Sequence, residues 1–374
     1  MKRREFVAGA AAGVAGSGLL ISGCGEGPGA RRRGVGGGNR EQVNWRLASS
    51  FPGSLDVLYG SVVEFCERVK EMTGGNFEIR PYQGGEIVPA LEVLDAVGRG
   101  SVEMGHTASY YFIGKNPALA FDCTVPFGLT FRQQNSWLYS GGGLDLLRPI
   151  FADFNVINIP GGNTGVQMGG WFREPIERLD DLRGRKMRIP GLGGKVMERL
   201  GVTAQVIPGG EVYISLERGA IDAAEWVGPH DDVKLGLHEV AKNYYYPGWW
   251  EPGVTIGLLV NLDEFNALPV AYQETLKTVC HETFCDRMAA YAALNPAALE
   301  RLVNDHGVVV RPYSEDIMEA AWRESNTYLV ELSAENAEFR RMYESYVAFR
   351  NIQWAYARGN DLTYQEWVMR RVIG

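Results

Sequence analysis

From residue 43 onward the spacing of apolar positions changes period repeatedly. Val43-Asn44-Trp45-Arg46-Leu47-Ala48 reads as a short strand that breaks at Ser49-Ser50-Phe51-Pro52-Gly53. Between Leu55 and Met72 the stripe Leu58, Val62, Phe65, Val69 has helical spacing and stops at Thr73-Gly74-Gly75-Asn76. Phe77 to Tyr82 alternates as a strand, Pro89 to Val97 reads as a helix, and Val102 to His106 as another strand. Strand, helix, strand, helix, strand is the α/β pattern.

A second series starts near residue 155. Phe154 to Pro160, Gly165 to Phe172 and Lys186 to Pro190 have strand character, with a short connector over Leu179 to Arg183. Gly191-Leu192-Gly193-Gly194 opens a helix through Leu200, Ala204 to Val206 is a short strand, and Gly210 to Glu217 a helix. That helix leads into a strand at Ile221 to Glu225. Arg99-Gly100-Ser101-Val102-Glu103-Met104-Gly105 and Arg218-Gly219-Ala220-Ile221-Asp222-Ala223-Ala224 match in residue type. Each ends a helix at Arg-Gly and begins a strand, which points to two related lobes. Ligands of open α/β sheets sit beyond the carboxyl ends of strands, so Tyr110-Tyr111-Phe112 and Glu225-Trp226 are placed to face one cleft.

Thr255 to Asn261 is an apolar strand, Val270 to Val303 a long helical region with Asn295-Pro296 as the place for a bend, and Val308 to Val310 a last strand. The pattern from Ser314 to the end is helical and charged, closing on Tyr364-Gln365-Glu366-Trp367-Val368. An aromatic terminal helix beyond a complete two-lobe core has a second subunit as a candidate partner. The expected organisation is a two-lobe domain over 43–374, with lobe I at about 43–150 plus returning segments, lobe II at about 155–260, and C-terminal helices at about 314–374.

Composition changes this picture in two places. Apolar residues at 45% and charged residues at 22% are ordinary for a globular chain, but a net charge of −8 argues against nucleic acid, which needs a basic excess. One well-placed arginine still suffices for a small organic anion. At the start, Arg3-Arg4-Glu5-Phe6 precedes an Ala/Gly-rich apolar run to Ile21 that is too short for a membrane span. It resembles a twin-arginine export signal, and Leu20-Ile21-Ser22-Gly23-Cys24 looks like a lipobox with Cys24 as the lipidated residue, against simple cleavage. Residues 1–24 are therefore read as an export signal and 25–42 as a flexible tether. Cys66, Cys123, Cys280 and Cys285 show no zinc spacing, and buried free thiols are expected, with a Cys66–Cys123 bridge left open.

Three acids and amides stand out against apolar surroundings. Glu225 lies between an apolar run and Trp226-Val227-Gly228-Pro229, and Glu251 follows Tyr244-Tyr245-Tyr246-Pro247-Gly248-Trp249-Trp250. Acids beside such surface need a cation or a donor. Arg188, within Met187-Arg188-Ile189-Pro190, is either a carboxylate anchor or half of a structural ion pair. Gln167 is either a ligand-facing amide or a satisfied core one. The aromatic cluster favours a shaped pocket, with plain core packing as the rival. Glu225 and Glu251 suit a hard cation such as Na⁺ or Ca²⁺. They also suit an acid–base pair of a periplasmic hydrolase, although nothing singles out that pairing. The five histidines are scattered without a nucleophile motif, and the Gly191 turn lacks a P-loop Lys-Ser/Thr.

Gly170-Trp171-Phe172, Leu179-Asp180-Asp181-Leu182-Arg183-Gly184-Arg185-Lys186-Met187-Arg188-Ile189-Pro190-Gly191 and Glu225-Trp226-Val227-Gly228-Pro229 resemble the extracytoplasmic solute-binding subunits of TRAP transporters. Tyr245-Tyr246-Pro247-Gly248-Trp249-Trp250-Glu251-Pro252 is similar to the subgroup for α-keto acids such as pyruvate, or lactate. The resemblance spans roughly residues 43–370. It implies an α/β, two-lobe periplasmic-binding-protein fold with the cleft between the lobes and long C-terminal helices, a membrane permease as partner, and no catalysis. It further implies that Arg188 pairs with the ligand carboxylate and that Tyr110, Tyr111 and Phe112 line the pocket. Gln167, Glu225, the Trp226 backbone and Glu251 would surround a Na⁺ or Ca²⁺ ion bridging to the ligand. Pairing through the terminal helices into a homodimer is implied too. The lipobox departs from many relatives.

Overall fold

The computed structural model describes residues 42–372, so the export signal, Cys24 and all of the tether but residue 42 lie outside the described residues. Among the described residues eleven strands form two sheets. The first contains β1 (Val43–Ser49), β2 (Phe77–Tyr82), β3 (Met104–Thr107), β4 (Val156–Asn163) and β10 (Thr255–Asn261) in the order β2-β1-β3-β10-β4. The second contains β5 (Trp171–Phe172), β6 (Lys186–Arg188), β7 (Thr203–Gln205), β8 (Ala223–Ala224), β9 (Asn243–Tyr246) and β11 (Val309–Pro312), in the order β11-β9-β5-β8-β6-β7. β1 is parallel to β2 and β3, whereas β10 runs antiparallel between β3 and β4.

Both sheets are covered on two faces, which their strand patterns explain. Leu258 and Val260 of β10 join a core with Trp45, Phe65, Val69, Phe77 and Leu276. Leu259 between them joins a separate core with Val93, Val97, Phe121, Trp137 and Tyr346. In the second sheet Phe172, Met187, Ala223 and Tyr245 pack on one side, and Trp171, Ala224 and Tyr244 on the other. The helix Gly60–Met72 buries Val62, Phe65, Cys66 and Val69, the three-and-four spacing the sequence shows. Burying each large apolar side chain contributes about 1.5–3 kcal/mol.

Several boundaries differ from the sequence expectation. Helix begins at Gly60 rather than Leu55, because residues 55–59 form turns in which Tyr59 and Gly60 donate to the Leu55 carbonyl. The division at 155–260 is corrected: β4 and β10 complete the first sheet, so the chain crosses to the second lobe after Asn163 and returns before Thr255. An apolar strand does not carry the name of its sheet, which is fixed only by pairing. β11 then rejoins the second sheet beyond the 35-residue helix Val270–Asn304, which runs on through Pro296. The helices Phe131–Ser140 and Gly143–Ala152 are additional to the elements expected from the apolar spacing. Their signal was present: Thr130 and Gln133 form a capping box, with the Thr130 amide donating to Gln133 Oε1 at 3.1 Å.

The four described cysteines are free thiols. Cys66, Cys123 and Cys280 are buried as expected, while Cys285 is exposed. The Arg-Gly echo corresponds to a shared local device. The helices Val93–Gly98 and Gly209–Glu217 end at Arg99 and Arg218, and Gly100 and Gly219 follow at φ +71° and +68°. Glycine takes that left-handed turn without the cost a Cβ would bring. β3 and β8 follow these turns, one in each sheet, and the chain leaves both strands at the same cavity.

Candidate functional site

The cavity lies between the two sheets and is lined by residues from both. Tyr110 and Tyr111 come from the 3-10 turn Ser109–Phe112 after β3. Arg188 ends β6, Trp226 follows β8, and Gln167 stands on the segment crossing from β4 to β5. Phe51, Leu58, Val254 and Ile256 supply an apolar wall, with Thr164 and Val227 beside it.

Strand register brings Arg188 and Glu225 together. Arg188 pairs with Ala224 across β6 and β8, and the Glu225 amide donates to the Arg188 carbonyl at 3.1 Å. The two side chains form a buried ion pair between Arg188 Nη1 and Glu225 Oε1. The same guanidinium donates from Nε to the Ile207 carbonyl at 3.1 Å, from Nη1 to the Glu225 carbonyl at 3.2 Å, and from Nη2 to the Tyr111 hydroxyl at 3.2 Å. Trp226 lies against it, 4.8 Å from the guanidinium carbon to the ring centre. Of five N–H donors, these four contacts leave one on Nη2. Burial works against the Arg188 charge, but Glu225 together with Tyr111 and Tyr110 outweighs it and raises the pKa.

Gln167 and Glu251 are held by the two segments that cross between the sheets. Gln167 N donates to the Glu251 carbonyl at 3.2 Å, and Gly248 N to the Gln167 carbonyl at 3.0 Å. Gly248 permits this approach, since a Cβ there would meet the Gln167 and Met168 carbonyl oxygens at 2.7 and 2.6 Å. Gln167 Nε2 donates to Thr164 Oγ1 at 3.0 Å, which leaves Oε1 as the free end of its amide. Gln167 Oε1, Glu225 Oε2 and Glu251 Oε2 are all buried and receive no hydrogen bond.

That donor set is what a hard cation requires: two carboxylates and an amide oxygen. Burial pushes Glu225 up to about 7, against the pull of Arg188. Burial also holds Glu251 well above the carboxylate range, and the neighbouring Glu225 raises it further. Burial lifts the Tyr111 hydroxyl to about 12 despite Arg188, so it is a neutral donor throughout the physiological range. Two facing acids with unsatisfied oxygens fit a bound cation, which would favour ionisation of both.

Among the residues singled out in the sequence, Tyr110, Tyr111, Gln167, Arg188 and Trp226 line the cavity. Glu225 and Glu251 stand behind that lining, Glu225 paired to Arg188 and Glu251 through its backbone to Gln167. Phe112 does not join them; it packs into the first-lobe core that also holds Phe121 and Trp137. The aromatic cluster belongs to the core as well. Trp249 stacks on Phe127 at 5.2 Å and Tyr244 on Trp171 at 3.9 Å, and neither lines the cavity. Asp232 was missed. Its Oδ2 accepts from Trp171 Nε1 at 2.8 Å and Tyr244 Oη at 2.6 Å, and its Oδ1 from Gly228 N at 3.1 Å. It thereby fixes the turn that carries Glu225 and Trp226, and its place four residues after Gly228 was a readable turn signal.

Residues 48–336 match the family described as bacterial extracellular solute-binding protein, family 7. A monocarboxylate 2-oxoacid-binding periplasmic protein of Nostoc sp. is 54% identical over 325 residues, 87% of this chain and 89% of that protein. A TRAP transporter solute-binding protein from Bordetella bronchiseptica is 43% identical with a TM-score of 0.88, covering 89% of this chain and 99% of its own. Its crystal structure is a mixed-occupancy dimer with copurified calcium and picolinate in one active site. A TRAP periplasmic solute-binding protein from Pseudoalteromonas atlantica, crystallised with sodium and pyruvate, is 35% identical with a TM-score of 0.84, covering 87% and 99%.

Proposed function

The chain belongs to the bacterial extracellular solute-binding proteins of family 7, the receptors of TRAP transporters, and on that premise we propose that it captures a small 2-oxo or 2-hydroxy monocarboxylate together with a metal ion. Members of the family are receptors, not enzymes, so the hydrolytic use of Glu225 and Glu251 has no support. The observation that carries the reading is the trio of buried oxygens without donors, Gln167 Oε1, Glu225 Oε2 and Glu251 Oε2, beside an arginine with one donor to give.

Pyruvate and picolinate share one chemical feature, a second donor atom adjacent to a carboxylate. Such a pair can chelate a cation, which explains why solute and ion are held together. In this chain Gln167, Glu225, Glu251 and the Trp226 backbone would hold Na⁺ or Ca²⁺. Arg188 Nη2 and the Tyr111 hydroxyl would take the carboxylate, with Tyr110 alongside. Phe51, Leu58, Val254 and Ile256 would contact the solute's carbon tail, which favours short acids such as pyruvate, other α-keto acids or lactate. Closure of the lobes completes these contacts before delivery to the membrane permease.

The location is extracytoplasmic, as for the family. Export by the twin-arginine signal and lipid anchoring through Cys24 extend that reading on the sequence of the first 24 residues. A homodimer through the C-terminal helices extends it further. Calorimetry with pyruvate and lactate, in calcium and in chelator, tests the function. Saturable one-to-one binding that weakens in chelator is expected; binding indifferent to chelation, or none at all, overturns it.

A further inference from the structure

A second polar cluster joins the lobes outside the cavity lining. Asp56 lies in the turns between β1 and the Gly60–Met72 helix, and His230 and Asp231 on the short helix Pro229–Lys234 after β8. His230 Nε2 stands 2.9 Å from Asp56 Oδ1, and Lys234 Nζ 2.5 Å from Asp56 Oδ2. One donor atom each from Asp56, His230 and Asp231 lies within 4.8 Å of the others.

Asp231 supplies the second observation. It is fully buried, its Oδ2 accepts from the Tyr291 hydroxyl at 2.7 Å, and its Oδ1 receives no hydrogen bond. Lys234 is engaged at the other oxygen of Asp56, and Asp231 brings a buried carboxylate with one unsatisfied oxygen to the same imidazole and second carboxylate. A buried carboxylate in that position calls for a positive partner.

We propose that Asp56, His230 and Asp231 bind a borderline divalent cation of the Zn²⁺ class, at a site separate from the Gln167, Glu225 and Glu251 oxygens. One imidazole with two carboxylates suits zinc-like ions, whereas an all-oxygen set suits calcium. Donors at about 2.1 Å from a tetrahedral ion stand about 3.4 Å from one another. The His230–Asp56 separation of 2.9 Å is already close to that, and the Asp56 side chain, 58% exposed, adjusts to an ion by exchanging its contacts with His230 and Lys234. Binding uses the Nε2 lone pair of His230, so the imidazole exchanges its contact with Asp56 for the ion and any Nε2 proton leaves to solvent. Because Asp56 belongs to one lobe and His230 and Asp231 to the other, the bound ion ties the two lobes together.

The test is a calorimetric titration of Zn²⁺ into the protein in saturating calcium, so that the all-oxygen site is filled. One Zn²⁺ per chain is expected, weakened about tenfold or more by His230→Gln and by Asp56→Asn. His238→Gln is the control, because His238 and His306 are a second imidazole pair with ring centres 4.3 Å apart. Pyruvate binding by the zinc-free variants reports that their fold and solute site are intact. No Zn²⁺ binding by the parent, binding unchanged in both Asp56→Asn and His230→Gln, or binding lost in His238→Gln overturns the proposal.

Discussion

Arg188 and Glu225 form an ion pair with both side chains 1% exposed, so the arginine proposed to hold the solute already has a counter-charge behind it. Removing one partner of a buried pair costs about 3–5 kcal/mol, because the other charge stays buried alone. Arg188→Ala is therefore expected to lower the melting temperature as well as to abolish most pyruvate affinity. Arg188→Lys keeps a charge but loses the planar fork that serves Ile207, Glu225 and Tyr111 together, and should fall between. Unchanged pyruvate binding by Arg188→Ala in calorimetry would sink the assignment of this residue.

The two acids should separate metal binding from stability. Glu251 is buried, raised in pKa and has an oxygen without a donor, so its charge is a burden to the metal-free protein. Glu251→Gln should raise the melting temperature in chelator by removing that burden, while eliminating the further rise that calcium gives the parent. Glu225→Gln should also retain less calcium after dialysis, measured by elemental analysis. It should not gain metal-free stability, because Arg188 would lose its partner. Equal calcium content in both variants and the parent would refute the proposed ligand set.

Legibility from sequence follows the range of the contact. Helix stripes, the Arg-Gly turns and the strand-end positions of Arg188 and Glu225 are local patterns, and the structure has them. Leu58 shows where locality fails: it fits the helical stripe with Val62, yet the turns before Gly60 deliver it to the cavity wall. Phe51, Val254 and Ile256 meet there from about 200 residues apart in the chain, a proximity set by β3 pairing with β1 on one side and β10 on the other. Phe112 errs in the other direction. Its position directly after Tyr110 and Tyr111 looked like lining, but the turn sends its ring into the first-lobe core.

The buried acids predict an uncommon pH dependence. Glu225 has a folded-state pKa of about 7 against 4.5 for the free group, and burial likewise lifts Asp122 and Asp231 to about 7 and Asp232 to about 6, against 3.8. An acid raised on folding keeps its proton longer in the native state. Above about pH 4 the unfolded chain binds fewer protons, so stability falls as pH rises until the folded groups ionise near 7. In chelator the melting temperature should decline from pH 5 to pH 7. Calcium should flatten the upper part of that decline, because the ion favours ionised Glu225 and Glu251, and calcium affinity should rise over the same interval. A melting temperature that climbs from pH 5 to 7 in chelator would contradict the sign.

The terminal helix Asp361–Val372 buries none of its side chains, and Leu362, Tyr364, Trp367, Met369 and Val372 are each at least half exposed. On the preceding helix Ala337–Gly359, Ile352 and Tyr356 are likewise exposed, at 70% and 68%. A 12-residue helix is marginal in water without packing, and an apolar patch of this kind marks an interface. A second copy of the chain is the proposed cover. The protein should run as a dimer by light scattering at micromolar concentration. Trp367→Glu, which places a charge in the middle of the patch, should shift it to monomer. Pyruvate affinity should change less than about twofold, since the helix contributes nothing to the cavity lining. A monomeric parent, or a Trp367→Glu variant that is still fully dimeric, would remove this surface from the assembly.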